Sequence, residues 1–162
     1  MATPKKTVSY RPKKMVVSAS PEEKSLEELY EKDFYKWTST QSKLLRRGEY
    51  SKLDIQNLIE EIESLGRSEK RTLRSYLTNL MMHLLKIKYQ PNKHTKSWDL
   101  SVRNSRIEAK RQLTENPSLK SKITKIVEEA YLSAVIAAAF ETGLDEEIFP
   151  KECPWNIKDL IY

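Results

Sequence analysis

At 162 residues, with three Gly and seven Pro, the chain is sized for one domain and is too poor in turn formers for a many-stranded β architecture. A single Cys excludes an internal disulfide framework and any Cys-rich zinc site. The formal net charge of +6 points to an acidic partner, but the total does not say where the charge sits.

Its distribution is uneven. Residues 1–21 contain Lys5, Lys6, Arg11, Lys13 and Lys14 and no acid, so they carry +5. Residues 22–65 carry −4, residues 66–125 carry +11, and residues 126–162 carry −6. The first segment has no apolar periodicity and holds Pro4, Pro12 and Pro21, which predicts a disordered basic tail. It is also Ser-containing and acid-free like an organelle transit peptide, but its prolines interrupt the amphipathic helix such a peptide needs. The longest apolar run, Ala134 to Phe140, is too short to span a bilayer, so no membrane association and a cytoplasmic location are expected.

Residues 22–162 read as one helical domain. Ser20-Pro21-Glu22-Glu23 combines a cap with a Pro at the first helical position. From there Leu26, Leu29, Tyr30, Asp33, Phe34, Trp37, Leu44 and Leu45 follow helical spacing toward a stop at Gly48. Asp54 can cap a second helix, whose apolar stripe runs from Ile55 through Leu58, Ile59, Ile62 and Leu65, then Leu73, Leu77, Leu80, Leu84 and Ile87. Pro91 ends it, and Gly66 is its one interior breaker: either Gly66 is a point where one long helix can kink, or it ends one helix and Ser68 caps the next, and the spacing favours the continuous helix. Ser97 can cap a third helix with Trp98, Val102, Ser105, Ala109 and Leu113 on one face. Asn116-Pro117-Ser118 separates it from a fourth, with Ile123, Val127, Ala130, Ala134 and Ala137 on a face and Gly143 as C-terminal cap. An extended arm follows, held by Pro150 and Pro154 and anchored by Trp155, with a last helical turn from Asn156. The fold class is all-α, a four-helix bundle-like arrangement with an extended C-terminal arm.

The residues that carry chemistry are chiefly basic. Arg67, Lys70, Arg71 and Arg74 fall within an arc of roughly 100° on an ideal helix, and Arg103, Arg106 and Lys110 repeat the pattern on the third helix. Two such stripes form a cationic surface for phosphates or for an acidic protein. A solvated face paired with the acidic ends of the same chain accounts for the same pattern. No aromatic is interleaved, which argues against single-strand stacking. Glu60, Glu61, Glu63 and His83 are the residue types of a metal site, but Leu80 stands where a Glu-x-x-His pair needs its carboxylate. His83, between Met82 and Leu84, reads as a buried histidine with one hydrogen-bond partner. Cys153 has no motif that supplies a base, and reads as packing for the terminal arm. Phe34-Tyr35-x-Trp37, Tyr89, Trp98 and Trp155 read as core and interhelix anchors. There is no Gly-rich phosphate loop, GxSxG or HExxH, so no catalytic residue, cofactor or metal is assigned.

One ordered series of strings goes further. Asp33-Phe34-Tyr35-Lys36-Trp37 is followed by Leu53-Asp54-Ile55-Gln56-Asn57-Leu58-Ile59-Glu60-Glu61-Ile62-Glu63-Ser64-Leu65-Gly66-Arg67. Then come His83-Leu84-Leu85-Lys86, Tyr89-Gln90-Pro91, Ser97-Trp98, Pro117-Ser118-Leu119, Glu141-Thr142-Gly143-Leu144 and Cys153-Pro154-Trp155. Over about residues 30–160 this resembles the all-helical prokaryotic family of domains of unknown function numbered twenty-nine, abundant in cyanobacteria. The resemblance implies a helical fold and no established activity. It also implies that Glu60, Glu61, Gly66, Arg67, His83, Tyr89, Gln90 and Trp98 belong to the family pattern.

Three functional readings follow. The first is a non-catalytic helical module that binds an acidic protein or nucleic acid through its basic centre. The second is a metal-dependent enzyme or nuclease using helix carboxylates and His83. The third is a structural or regulatory subunit of a protein complex.

Overall fold

A computed structural model describes residues 28–162. The basic tail 1–21 and the helix start at Ser20-Pro21 therefore lie outside the described residues. All regular structure among the described residues is helical: a helical stretch over 28–32, then α1 (Phe34–Arg47), α2 (Ile55–Tyr89), α3 (Lys96–Glu115), α4 (Ile123–Thr142) and α5 (Ile157–Ile161), with short 3₁₀ turns between them. The chain divides into two compact units, with the boundary after Glu60. The first turns of α2 belong to the first unit, and the rest of that helix belongs to the second.

In the first unit, the continuous helix expected toward Gly48 is interrupted at Asp33. Asp33 leaves helical geometry (φ −150°) and its carboxylate accepts from the Lys36 amide at 3.0 Å, restarting the chain as α1. A short acidic side chain competes for backbone donors, and here that competition wins over the surrounding periodicity. Gly48 ends α1 in the left-handed region at φ 72°, with the Glu49 amide donating to the Leu44 carbonyl at 3.0 Å. Only Gly takes that conformation without a steric penalty. Trp37 is buried, stacked on Phe34 at 5.6 Å and edge-on to Tyr30 at 4.9 Å. Tyr35, expected among the anchors, points outward.

In the second unit α2 runs unbroken through Gly66, as the spacing predicts. Its pairing with α3 is antiparallel: Asn79 bonds Ser105 at 2.7 Å, and farther back Asn116 donates to Glu69 at 3.2 Å. Its pairing with α4 is parallel, with Lys70 bonded to Glu129 and Gln90 donating to the Thr142 carbonyl at 2.9 Å. The core between them is Leu73, Leu77, Leu80, Met81 and Leu85 of α2, Ala109 and Leu113 of α3, and Ile126, Ala130, Ala134 and Ala138 of α4. Small Ala side chains let α4 approach closely, as its sequence implies. α5 closes the base of the bundle with Leu160 and Ile161. α3 starts at Lys96 rather than after Ser97, with Thr95 extended before it. Gly143 (φ 71°) caps α4, and Asn156 caps α5 by accepting from the Asp159 amide at 3.0 Å.

The arm between α4 and α5 is fastened by Tyr131. Its hydroxyl donates to the Pro150 carbonyl at 2.7 Å and its ring meets Trp155 edge-on at 6.4 Å. Burial first, then neighbouring Cys153 and Tyr89, pushes the phenol from its ordinary 10 up to about 12. The unfolded chain ionises near 10 while the folded phenol stays neutral, so this stability is present below pH 10 and is lost as pH rises toward about 12. In urea titrations at several alkaline pH values, Tyr131→Phe should show a flatter loss of stability than the wild type. Parallel pH curves for the two proteins would refute the assignment.

Candidate functional site

Helical periodicity places Ser64, Arg67, Lys70, Arg71 and Arg74 along one side of α2, and these five side chains line a single open cavity of about 470 Å³. α4 supplies its acidic counterweight. Glu129 is bonded to Lys70 at 3.0 Å and lies 3.9 Å from Arg74. Lys70, with lesser contributions from Lys125 and Arg74, holds the Glu129 carboxyl below its ordinary range. Arg67 pairs along its own helix with Glu63 at 3.2 Å. Arg71 makes no ion pair among the described residues, and it is exposed. Four cations against two carboxylates leave the groove positive, and its pairs are solvent-accessible, where each is weak. Such a groove can exchange internal carboxylates for an external anion at small cost.

The second basic stripe does not line this groove. Arg106 is consumed structurally: its Nε donates to the Leu160 carbonyl at 3.0 Å and an Nη to the Asp159 carbonyl at 3.3 Å, satisfying the end of α5. Lys110 lies over the Tyr162 ring at 5.2 Å. Arg103 is exposed. Lys70 and Arg74 therefore face α4, while Arg106 and Lys110 face the C-terminal segment. Helical spacing alone assigns both stripes to a polar face, and only the neighbouring helices distinguish them.

A second polar constellation has no local signature in the sequence. Lys86 of α2 is buried, its ammonium bonded to Glu141 of α4 and placed 4.4 Å from the centre of the Trp98 ring on α3. His83 stands one turn earlier on α2. Burial first, then the Lys86 charge, lowers its pKa, and Glu141 opposes them. Its Nδ1 is buried without a hydrogen-bond partner among the described residues, where the sequence suggests one. The one signal that points to this cluster is the occurrence of His83, Lys86, Trp98 and Glu141 within the strings that carry the family resemblance. Lys86 itself resembles any lysine at a helix end, and nothing nearby in the chain marks it as interior.

The metal reading finds no geometry. Glu63 and His83 sit on one continuous helix, about 30 Å apart at 1.5 Å per residue. Glu60 precedes both and takes a hydrogen bond from Gln56 at 3.4 Å. No group of three or more His, Cys, Asp or Glu among the described residues is placed to hold a metal ion. Cys153 packs the arm as expected, its thiol 3.5 Å from the Trp155 carbonyl and 3.7 Å from the Met81 sulfur. Burial raises its pKa, the opposite of what a nucleophilic thiol requires. No described helix is long and apolar enough to cross a membrane.

No curated protein and no solved structure shows significant similarity to the chain. One family does: the sequence model described as domain of unknown function DUF29 matches residues 29–162, from the helical turn before α1 to the end of α5. The match spans every string from Asp33 to Trp155 that carries the resemblance, and it leaves out the basic tail. The chain belongs to the DUF29 family.

Proposed function

We propose that this chain is a binding module whose α2 groove recognises a phosphate-bearing partner, with nucleic acid the first candidate. The observation that carries the reading is the convergence of Arg67, Lys70, Arg71 and Arg74 on one cavity, with Arg71 outside any ion pair among the described residues. Phosphate contacts position a protein on nucleic acid without reading sequence, so a groove of this kind gives affinity and salt dependence rather than base preference. Arg103 adds an exposed cation elsewhere on the bundle, but Arg106 and Lys110 are engaged by the C-terminal segment and contribute less.

Binding of the full chain to duplex and single-stranded nucleic acid, measured across a salt series, tests this. Two to four phosphate contacts give a log–log salt slope of about −2 to −4. Reversing Arg67, Arg71 and Arg74 to Glu should weaken binding roughly a hundredfold and flatten the slope. Deleting residues 1–21 should leave most of the affinity. Binding that survives the reversal and disappears with the tail would assign it to the tail instead, and an absence of salt-dependent binding would remove nucleic acid. An acidic protein partner is the second reading, supported by the same groove.

A further inference from the structure

The α2 groove is not open to the same degree across its width. On an ideal helix at about 100° per residue, Lys70 and Arg71 mark its two edges, with Arg74 and Arg67 between them. α4 stands on the Lys70 side and brings one carboxylate to it. Glu129 Oε1 accepts from Lys70 Nζ at 3.1 Å, and Oε2 lies 3.0 Å from the same nitrogen and 3.9 Å from an Arg74 Nη. The hydrogen bond from Lys70 holds this carboxyl below its ordinary range, so it is charged at neutral pH. The Arg71 edge has no such neighbour. Arg71 makes no ion pair among the described residues, and Arg67 pairs only with Glu63, one turn back on its own helix.

A carboxylate that bridges two cations occupies the place that a phosphate oxygen would take between them. We propose that Glu129 is the groove's own competitor: it holds the oxyanion position between Lys70 and Arg74, and a phosphate of the partner reaches those cations only by displacing it. This rests on the phosphate-binding reading above, and adds the residue that limits how tightly the groove binds.

Burial and charge favour exchange. The side chains of Lys70 and Glu129 are 36% and 30% exposed, so water reaches both and neither charge is stranded when they part. A phosphate offers more acceptor oxygens than a carboxylate, and the Arg74 guanidinium can meet two of them at once. Nucleic acid also presents its phosphates in succession. One phosphate held by Arg71 and Arg67 at the open edge keeps the next beside Glu129 at high effective concentration. A chain of phosphates therefore displaces Glu129 more readily than a free phosphate ion does.

The test is a double-mutant cycle on the full chain, read as affinity for a labelled DNA duplex and for its single strand at one fixed salt concentration. Glu129→Gln should tighten binding about three- to fivefold, the size expected from releasing exposed ion pairs. Its helical spectrum should not change, because Glu129 lies outside the core. In a Lys70→Gln, Arg74→Gln background the same substitution should have almost no effect, since Glu129 competes only through those two cations. Glu128→Gln removes the same charge from the next position of α4, where the side chain lines a different cavity beside Cys153 and Trp155. It should have almost no effect either. Equal tightening by Glu128→Gln overturns the proposal, and so does a gain for Glu129→Gln that persists without Lys70 and Arg74. Unchanged affinity in Glu129→Gln, beside a wild type that binds with a salt dependence, overturns it while leaving the phosphate-binding reading intact. If neither protein binds either probe with a salt dependence, that reading falls and this inference falls with it.

Discussion

Glu141→Ala should destabilise the second unit by about 2–3 kcal/mol, while Lys86→Met at the other end of the same ion pair should change stability by less than about 1 kcal/mol. The asymmetry follows from burial. The Lys86 side chain is 7% exposed and that of Glu141 is 41% exposed. Removing the carboxylate strands an ammonium in the interior. Removing the ammonium leaves a carboxylate that water still reaches. A charge taken out of water costs several kcal/mol unless it is paired, whereas replacing a buried charge by an apolar chain of similar shape is often neutral. The Trp98 ring softens the loss by about 1 kcal/mol through its attraction for the ammonium, which keeps the expected effect below that of a fully buried pair. Urea unfolding of the two single variants and the double variant decides the matter. The double variant should be more stable than Glu141→Ala alone. Simple additivity would mean that the two charges do not depend on each other.

Asp54→Ala should remove about 2–3 kcal/mol from the first unit, because one carboxylate there has several duties. Its Oδ1 accepts from the Asn57 amide at 3.3 Å at the start of α2, and its Oδ2 accepts from the Trp37 indole at 3.0 Å. Trp37 is almost wholly buried, so without Asp54 its N–H is a donor with no water to replace the bond. The loss of the helix cap contributes about 1 kcal/mol, and the stranded indole contributes the remainder. Asp54→Asn has one acceptor oxygen where Asp54 uses two, so it can keep the cap but not also accept from the indole, and it should recover only the ~1 kcal/mol of the cap. Thermal unfolding followed by tryptophan fluorescence and circular dichroism reads both effects. Equal stability for the Ala and Asn variants would show that the cap contributes nothing, and an Ala variant as stable as the wild type would show that neither bond matters.

The elements themselves are legible because their punctuation is chemical and local. Gly48 and Gly143 sit at left-handed C-terminal caps, Pro91 and Pro117 open the 3₁₀ turns after α2 and α3, and Asn156 caps α5. Asp33 reads as part of a run because its apolar neighbours keep helical spacing on both sides. Its own side chain, bonded to Lys36, breaks the helix there. Tyr35 groups with Phe34 and Trp37 by proximity in the chain, although adjacent helical residues point in different directions. The α2 basic stripe is legible residue by residue, and its four members do line one groove.

By itself, the sequence determined the helical class, the unbroken α2, the position of most caps, and the concentration of positive charge between residues 66 and 125. These are properties of neighbouring residues, set by backbone preference and by spacing along a single helix. Only the tertiary structure decided which cations are spoken for. Arg106 and Arg74 look alike in the chain, yet one is spent on the carbonyls of Leu160 and Asp159 and the other faces an open groove. The same holds for Lys86, whose burial depends on Trp98 and Glu141 arriving from two other helices. It holds equally for Phe140, left outside because the Ala face of α4 takes the core. Burial and pairing arise from contacts between residues far apart in sequence, so charge and hydropathy counts along the chain cannot contain them.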